Sequence, residues 1–207
     1  MGISDLSRYQ RYNKEYKYLL VAVDVFSRKA FIEPMKTRDS SAALEAFKVL
    51  AKIFKPRSII SDHDGAFVSN IFQNYLDQLK IPLTLNALGD HHALGIIDNF
   101  AKRIKETLTK LFLSNGNANW TNRINNIVEH YNRQPHGSLD GLSPNGARKQ
   151  EHDETITNLN IEKSKANSTV SELQAGDYVR KNVLFNESFS KGTDNKWSNK
   201  VLSLIHI

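Results

Sequence analysis

Two aspartates stand where carboxylates can do phosphate chemistry. Asp62 follows the run Arg57-Ser58-Ile59-Ile60-Ser61, whose β-branched centre predicts a buried strand with the acid at its carboxyl end. In open α/β sheets that edge is where ligands bind. Asp98 comes after 35 intervening residues, in the first turn of a long helical pattern, and Lys102 and Lys105 follow it at i+4 and i+7. Those spacings put the acid and both lysines on one helical face. An acid in a first turn also complements the helix dipole, which is the purely structural account of Asp98. A carboxylate flanked by two lysines suits a divalent cation together with a phosphodiester, because Mg²⁺ takes oxygen ligands and lysine neutralises phosphate.

The distribution of charge agrees with that chemistry. The 207 residues carry 28 Lys+Arg against 22 Asp+Glu, a formal net charge of +6. Between Arg57 and Lys102 the only basic residue is Lys80, while Asp62, Asp64, Asp77, Asp90 and Asp98 fall there. Residues 101–150 then hold eight basic residues against three acids, a block of +5. Two differently solvated faces would give the same pattern. A carboxylate site serving a polyanionic substrate accounts for it more specifically.

Cysteine is absent, which excludes disulfide scaffolds, Cys-type zinc fingers, iron–sulfur sites and thiol catalysis. The longest apolar stretches, such as Tyr18 to Val23, are far short of the roughly 20 residues of a membrane span, and no signal peptide opens the chain. The expectation is a soluble, intracellular protein without a membrane partner.

Several elements must position the acids. Tyr16 to Phe26 and Ala30 to Pro34 read as a β-hairpin turning at Ser27-Arg28-Lys29. Ser40 opens a helix that Pro56 stops. Asn70 to Leu79 reads as a short helix and Ile81 to Leu85 as a strand. From Gly95, the residues Ile97, Phe100, Ile104, Leu108 and Leu111 form the apolar stripe of a long helix, and Asn119 to Tyr131 reads as another. Residues 151–170 are polar and free of aromatics, like a linker. The order predicts an α/β domain with a mixed sheet, followed by a small β module.

The segment ISDHDGAF around Asp62, the segment LGIIDNFAKRIK around Asp98, their spacing and the run KYLLVAVDVFSRKAF together resemble the catalytic core of retroviral-type integrases. The resemblance is nearest to those of Polinton/Maverick elements and virophages. YNRQPHGSLDGLSPNGA (Tyr131 to Ala147) is similar to the segment that closes such cores, and GDYVR…KG…KWS to the family's SH3-like C-terminal module. The resemblance implies an RNase H-like core with a mixed five-stranded sheet and flanking helices over residues 1–150, a linker over 151–172 and a partial SH3-like DNA-binding module over 173–207. The chain ends at Val201 to Ile207, inside what should be a strand of that module, so weak activity or none is expected of this chain alone.

By the same resemblance, the second and third acids of a catalytic and metal-binding triad map to Asp62 and Asp98. The first maps to Asp5 in ISDLSRYQ, with Asp24 of DVFSR as its competitor. The pattern D-x-x-x-x-F ending at Phe67 selects Asp62 over Asp64. Asp98 departs from the glutamate usual at the third position, and no N-terminal zinc-binding module of the family is expected here, in line with the absence of cysteine. The implied cofactor is Mg²⁺ or Mn²⁺ as two ions. The implied reaction is 3′-end cleavage of element DNA and strand transfer into target DNA by a homo-oligomer, in the nucleus or in a viral factory or virion. Lys102, Lys105 and His92 are the implied DNA contacts, although His91 and His92 read equally well as ordinary loop histidines. A nuclease on the same fold without joining activity, or an incomplete non-catalytic DNA-binding fragment, are the competing functions.

Overall fold

A computed structural model describes residues 1–86, 95–167, 178–182 and 197–203. Two compact units emerge, Met1–Asn160 and Ile161–Ile207. In the first unit everything is arranged around strand β2 (Tyr18–Val23), whose sequence is apolar throughout instead of alternating. That is the pattern of a strand covered on both faces. β2 pairs antiparallel with β1 (Gly2–Asp5), placing Asp5 opposite Tyr18, and on its other side with β3 (Ala30–Met35), placing Val23 opposite Ala30.

One face of this sheet sends Leu20, Ala22, Phe31 and Met35 into a cluster with Phe47 and Leu50 of α1 (Ser40–Phe54). Phe67 of α2 (Gly65–Val68) and Phe72 of α3 (Asn70–Gln78) complete that cluster. The other face sends Leu19, Val21 and Ile32 against Phe100, Ile104 and Leu108 of α4 (Gly95–Asn115). Ile124 and Val128 of α5 (Ile124–Arg133) join them. Each fully buried side chain of this size contributes about 1.5–3 kcal/mol, so the sheet that ends at Asp5 is gripped from both sides, on one of them by α4, which carries Asp98.

Helix boundaries follow local chemistry. The α1 cap is Asp39, whose carboxylate accepts the Ala42 N–H at 2.9 Å. Lys55 leaves the helix in the left-handed region at φ 47°, and Pro56 prevents its continuation. The single turn α2, capped by Asp64, and the 3₁₀ turn Ser7–Tyr12 carry too little periodicity to be foreseen. α5 begins at Ile124, later than the expected Asn119, because Trp120 to Arg123 form a turn anchored elsewhere.

The anchor is Asn13, which is fully buried. Its amide donates to the carbonyls of Tyr9 and Ala118 at 2.7 and 2.9 Å. Its Oδ1 accepts the N–H groups of Trp120 and Thr121 at 2.6 and 3.1 Å. Asn132 of α5 does the same for the sheet edge, accepting from the Ala30 N–H and donating to the Ala30 carbonyl, both at 2.9 Å.

The expected single five-stranded sheet is not formed as such among the described residues. β4 (Ile59–Ser61) and β5 (Leu83–Leu85) make a parallel pair, separate in hydrogen bonding from the three-stranded antiparallel sheet. The Met1 ammonium donates to the Ile60 carbonyl at 2.6 Å between the two. With four residues in β1 and three in β4, there is little backbone for a regular ladder. The stretch 151–172, expected as a linker, contains the helix α7 (Asp153–Asn167), preceded by the one-turn helix α6 (Pro144–Ala147). Ile156 of α7 is buried with Leu139 and Ala147.

In the second unit β6 (Tyr178–Asn182) and β7 (Trp197–Ser203) pair antiparallel, with a register irregularity between Arg180 and Asn182. The rest of the expected SH3-like module lies outside the described residues. No described helix is long and apolar enough to cross a membrane. Replacing Asn13 by Ala orphans buried backbone groups on two segments and is expected to cost about 2–4 kcal/mol. A lower urea midpoint at unchanged slope measures that loss.

Candidate active site

Asp5 is the last residue of β1. Its Oδ1 accepts the Ser7 N–H at 2.7 Å where the chain turns into the 3₁₀ segment. Partial burial pushes its carboxyl pKa up, but the Ser7 hydroxyl and N–H and the positive charges of Arg38 and Lys105 outweigh that. The net result lies below the ordinary aspartate range.

Asp62 is the first residue after β4, as its sequence context predicts. The group that relates it to Asp5 is Arg38, in the loop between β3 and α1. The Arg38 Nε donates to Asp64 Oδ2 at 2.9 Å. That hydrogen bond leads in holding the guanidinium above its ordinary range; burial opposes it, and the charges of Asp64, Asp62 and Asp5 add to it. One cation therefore acts on three aspartates coming from β1 and from the loop after β4.

Asp64 has little left to offer a ligand. Its carboxylate is buried, pairs with Arg38 and caps α2 by accepting the Ala66 N–H at 3.0 Å. Asp62 makes no such cap, which is a physical reason for the family pattern to pass over the second acid of this loop.

Asp24 is likewise engaged. Its carboxylate accepts the N–H groups of Phe26 and Ser27, each at 3.3 Å, and the Ser27 hydroxyl. Its own N–H donates to the Lys29 carbonyl at 2.8 Å. These bonds close the β2–β3 turn, one residue past the end of β2 opposite to Tyr18, the partner of Asp5. Six strand residues separate the two ends by about 20 Å.

Asp98 lies exposed in the first turn of α4. It shares a shallow groove of about 540 Å³ with Ala101, Lys102, Lys105 and Thr109, so the common face expected from i, i+4, i+7 spacing is present. Lys105 carries that face toward Asp5, whose carboxyl its charge helps to lower. Among the described residues no three His, Cys, Asp or Glu side chains gather closely enough to hold a metal ion. Asp5 and Asp62 thus share Arg38, and Asp98 is related to Asp5 through Lys105, but the expected three-acid ligand set is not closed. His91 and His92 lie outside the described residues.

Arg38 escapes sequence reasoning altogether. A single arginine in Lys36-Thr37-Arg38-Asp39 has no periodic or spacing signal, and its role depends on contacts 26 residues away.

Comparison with known proteins agrees with this architecture. Residues 4–91 match the family described as "Integrase core domain". The chain is 35% identical over 140 residues to the Pol polyprotein of feline endogenous virus ECE1 and to the Gag-Pol polyprotein of baboon endogenous virus (strain M7), with 62% of the chain covered in each case. It is 36% identical over 109 residues to the Pol polyprotein of radiation murine leukemia virus (strain Kaplan), with 51% of the chain covered. The matched region spans only 13%, 8% and 18% of those polyproteins.

Among solved structures, the HTLV-2 integrase catalytic core domain in complex with magnesium (trimeric form) aligns at a TM-score of 0.54 and 25% identity, over 63% of this chain and 84% of that one. The simian T-cell lymphotropic virus intasome in complex with the PP2A regulatory subunit B56 gamma aligns at 0.60 and 21% identity, over 71% and 52%, a likeness of fold. The first unit therefore has the integrase catalytic-core fold, RNase H-like and α/β, with the integrase core-domain sequence pattern over residues 4–91.

Proposed function

We propose that this chain is the catalytic part of a DNA integrase from a mobile element or virus, cutting near a 3′ end of element DNA and joining that end to target DNA. The observation that carries the reading is the placement of Asp5 and Asp62 at two strand ends under the shared charge of Arg38. It falls inside the region matching the integrase core domain, with Asp98 and its two lysines on the adjoining helix face. Affinity to Polinton/Maverick and virophage integrases is part of the proposal and rests on the motif resemblance. So do action on double-stranded element ends and target DNA as a homo-oligomer, and a place of work in the nucleus, a viral factory or a virion. The domain division into core, connecting segment and partial SH3-like module is proposed with it.

Asp5, Asp62 and Asp98 are the proposed ligands of Mg²⁺ or Mn²⁺. Their chemistry fits, since hard divalent cations take carboxylate oxygens and the chain has no thiol to compete. Divalent cations bound there would neutralise charge at the phosphorus and activate the attacking oxygen. The rest falls to the chain itself. Lys102 and Lys105 hold the phosphodiester backbone against α4 as counter-charges. Arg38 fixes the loop carrying Asp62 by clamping Asp64. In the cleavage step a water oxygen bonds to phosphorus as the P–O3′ bond breaks. In the joining step the freed 3′-hydroxyl oxygen bonds to a target phosphorus and displaces another 3′ oxygen, so no protein nucleophile is needed.

The test uses a labelled DNA end, unlabelled target duplex and Mg²⁺ or Mn²⁺. At most weak joined product is expected from this chain alone, and Asp62→Asn and Asp98→Asn should reduce whatever cleavage and joining it shows by at least about a hundred-fold while duplex binding persists. Hydrolysis without any joined product would favour a nuclease on the same fold. Loss of activity in Asp24→Asn with retention in Asp5→Asn would overturn the first-acid assignment.

A titration checks the electrostatics. Without metal, the Asp5 carboxyl followed by ¹³C NMR is expected to titrate below the ordinary aspartate range, and Arg38→Ala should move it upward. An unchanged midpoint in that variant would mean that Arg38 does not act on Asp5.

A further inference from the structure

A second polar cavity, of about 520 Å³, opens beside α4, and Arg28, Lys102, Arg103, Tyr131, His136 and Ser138 line it. Its chemistry is lopsided: three cations against one lining acid, Glu106. The deepest cation is Arg28, in the β2–β3 turn. Its guanidinium is half-buried, and burial pulls its pKa down. Yet its contacts are neutral acceptors: the Val25 carbonyl, Ser138 Oγ at 3.3 Å and Asn160 Oδ1 at 3.2 Å. Among the described residues no carboxylate makes an ion pair with Arg28 or with Arg103. Asp24 and Tyr131 act on the Arg28 guanidinium itself only electrostatically.

A guanidinium withdrawn from water is ordinarily matched by an anion, because neutral acceptors recover only part of its solvation. Here the turn, the 3₁₀ segment Gly137–Leu139 and α7 hold it in a fixed direction, so the ordering cost is already met by the fold. Tyr131 completes the arrangement. Its hydroxyl donates to the Arg28 carbonyl at 3.4 Å, and the charges of both Arg28 and Arg103 act on the phenol. Arg103 therefore faces the same cavity from α4. Lys102 and Glu106 line both this cavity and the groove of Asp98 and Lys105, so the two sites adjoin across these two residues.

We propose that this cavity is a phosphate-oxyanion site, held by the forked donors of Arg103 and by the charge and remaining Nη N–H groups of Arg28, with Lys102 at its mouth. Planar guanidinium groups suit a tetrahedral oxyanion through paired N–H donors. The oxyanion is either a backbone phosphate of DNA that has passed over Lys102 or a free phosphate. The first source rests on the DNA reading above; the site itself does not.

The test follows the Arg28 and Arg103 Nε–H signals of the full chain by ¹⁵N NMR, in separate titrations with inorganic pyrophosphate and with a short DNA duplex. Both signals are expected to shift saturably with at least one of the two, while exposed Arg11 stays unchanged under pyrophosphate. Shifts with both titrants mean that DNA phosphate occupies the site; shifts with pyrophosphate alone mean a free oxyanion. Arg103→Gln, at an exposed position that leaves the turn intact, should weaken the interaction about three- to ten-fold. No shift at Arg28 and Arg103 with either titrant overturns the site, whatever the joining assay gives. Saturable shifts in a chain that neither cleaves nor joins DNA leave the site standing, because the two readings have separate readouts.

Discussion

Carboxylates brought to one edge of a sheet repel each other, and the arrangement holds only if positive charge stands among them. In this chain the charge comes from Arg38, which clamps Asp64 directly and acts on Asp62 and Asp5, and from Lys105, which reaches toward Asp5 from α4. The depressed carboxyl of Asp5 records the outcome: the hydrogen bonds from Ser7 and the two cations together outweigh its partial burial. Much of the local architecture follows from this requirement. The loop before α1 must present an arginine, the loop after β4 must spend one of its two aspartates on holding it, and α4 must lay its basic face beside β1.

That arrangement survives because the elements bearing it cannot shift independently. β2 is buried on both faces, so displacing β1 or β3 would expose the cluster of Phe47 and Phe72 or that of Phe100 and Leu108. Two buried asparagines tie the outlying turns to this centre. Asn13 joins the turn after Asp5 to the entry of α5, and Asn132 joins α5 to the first residue of β3. The same rigidity keeps Asp24 and Asp5 at opposite ends of β2, which is why only one of them stands near Asp62. It also fixes Arg28, whose turn is held by Asp24 on one side and by Ser138 and Asn160 on the other.

What the sequence made legible was what local patterning encodes. The apolar run of β2, the stripe of α4 and the proline after α1 each determine an element through nearest-neighbour chemistry, and Asp62 and Asp98 were visible because each flanks such an element. The rest depends on distant contacts. β1 and β4 are too short to announce their pairing, and the single sheet expected of them appears as two hydrogen-bonded sets. α7 was hidden because its sequence is polar on nearly every side and buries Ile156 against residues far earlier in the chain. Arg38 had no signature because its meaning lies in an aspartate beyond a whole helix and strand. The cavity of Arg28 and Arg103 was hidden for the same reason: turn, helix and loop contribute one or two residues each.

The proposal stands or falls on Asp5, Asp62 and Asp98 forming one divalent-cation site, with Asp24 outside it. Mn²⁺ added to ¹⁵N-labelled chain tests this most directly, since the paramagnetic ion broadens amide signals close to where it binds. The account predicts saturable broadening around Asp5, Asp62 and Asp98 together, at the same Mn²⁺ concentrations, with the signals of Asp24 and Phe26 left sharp. Broadening centred on Asp24, or at Asp5 and Asp62 without Asp98, would contradict it.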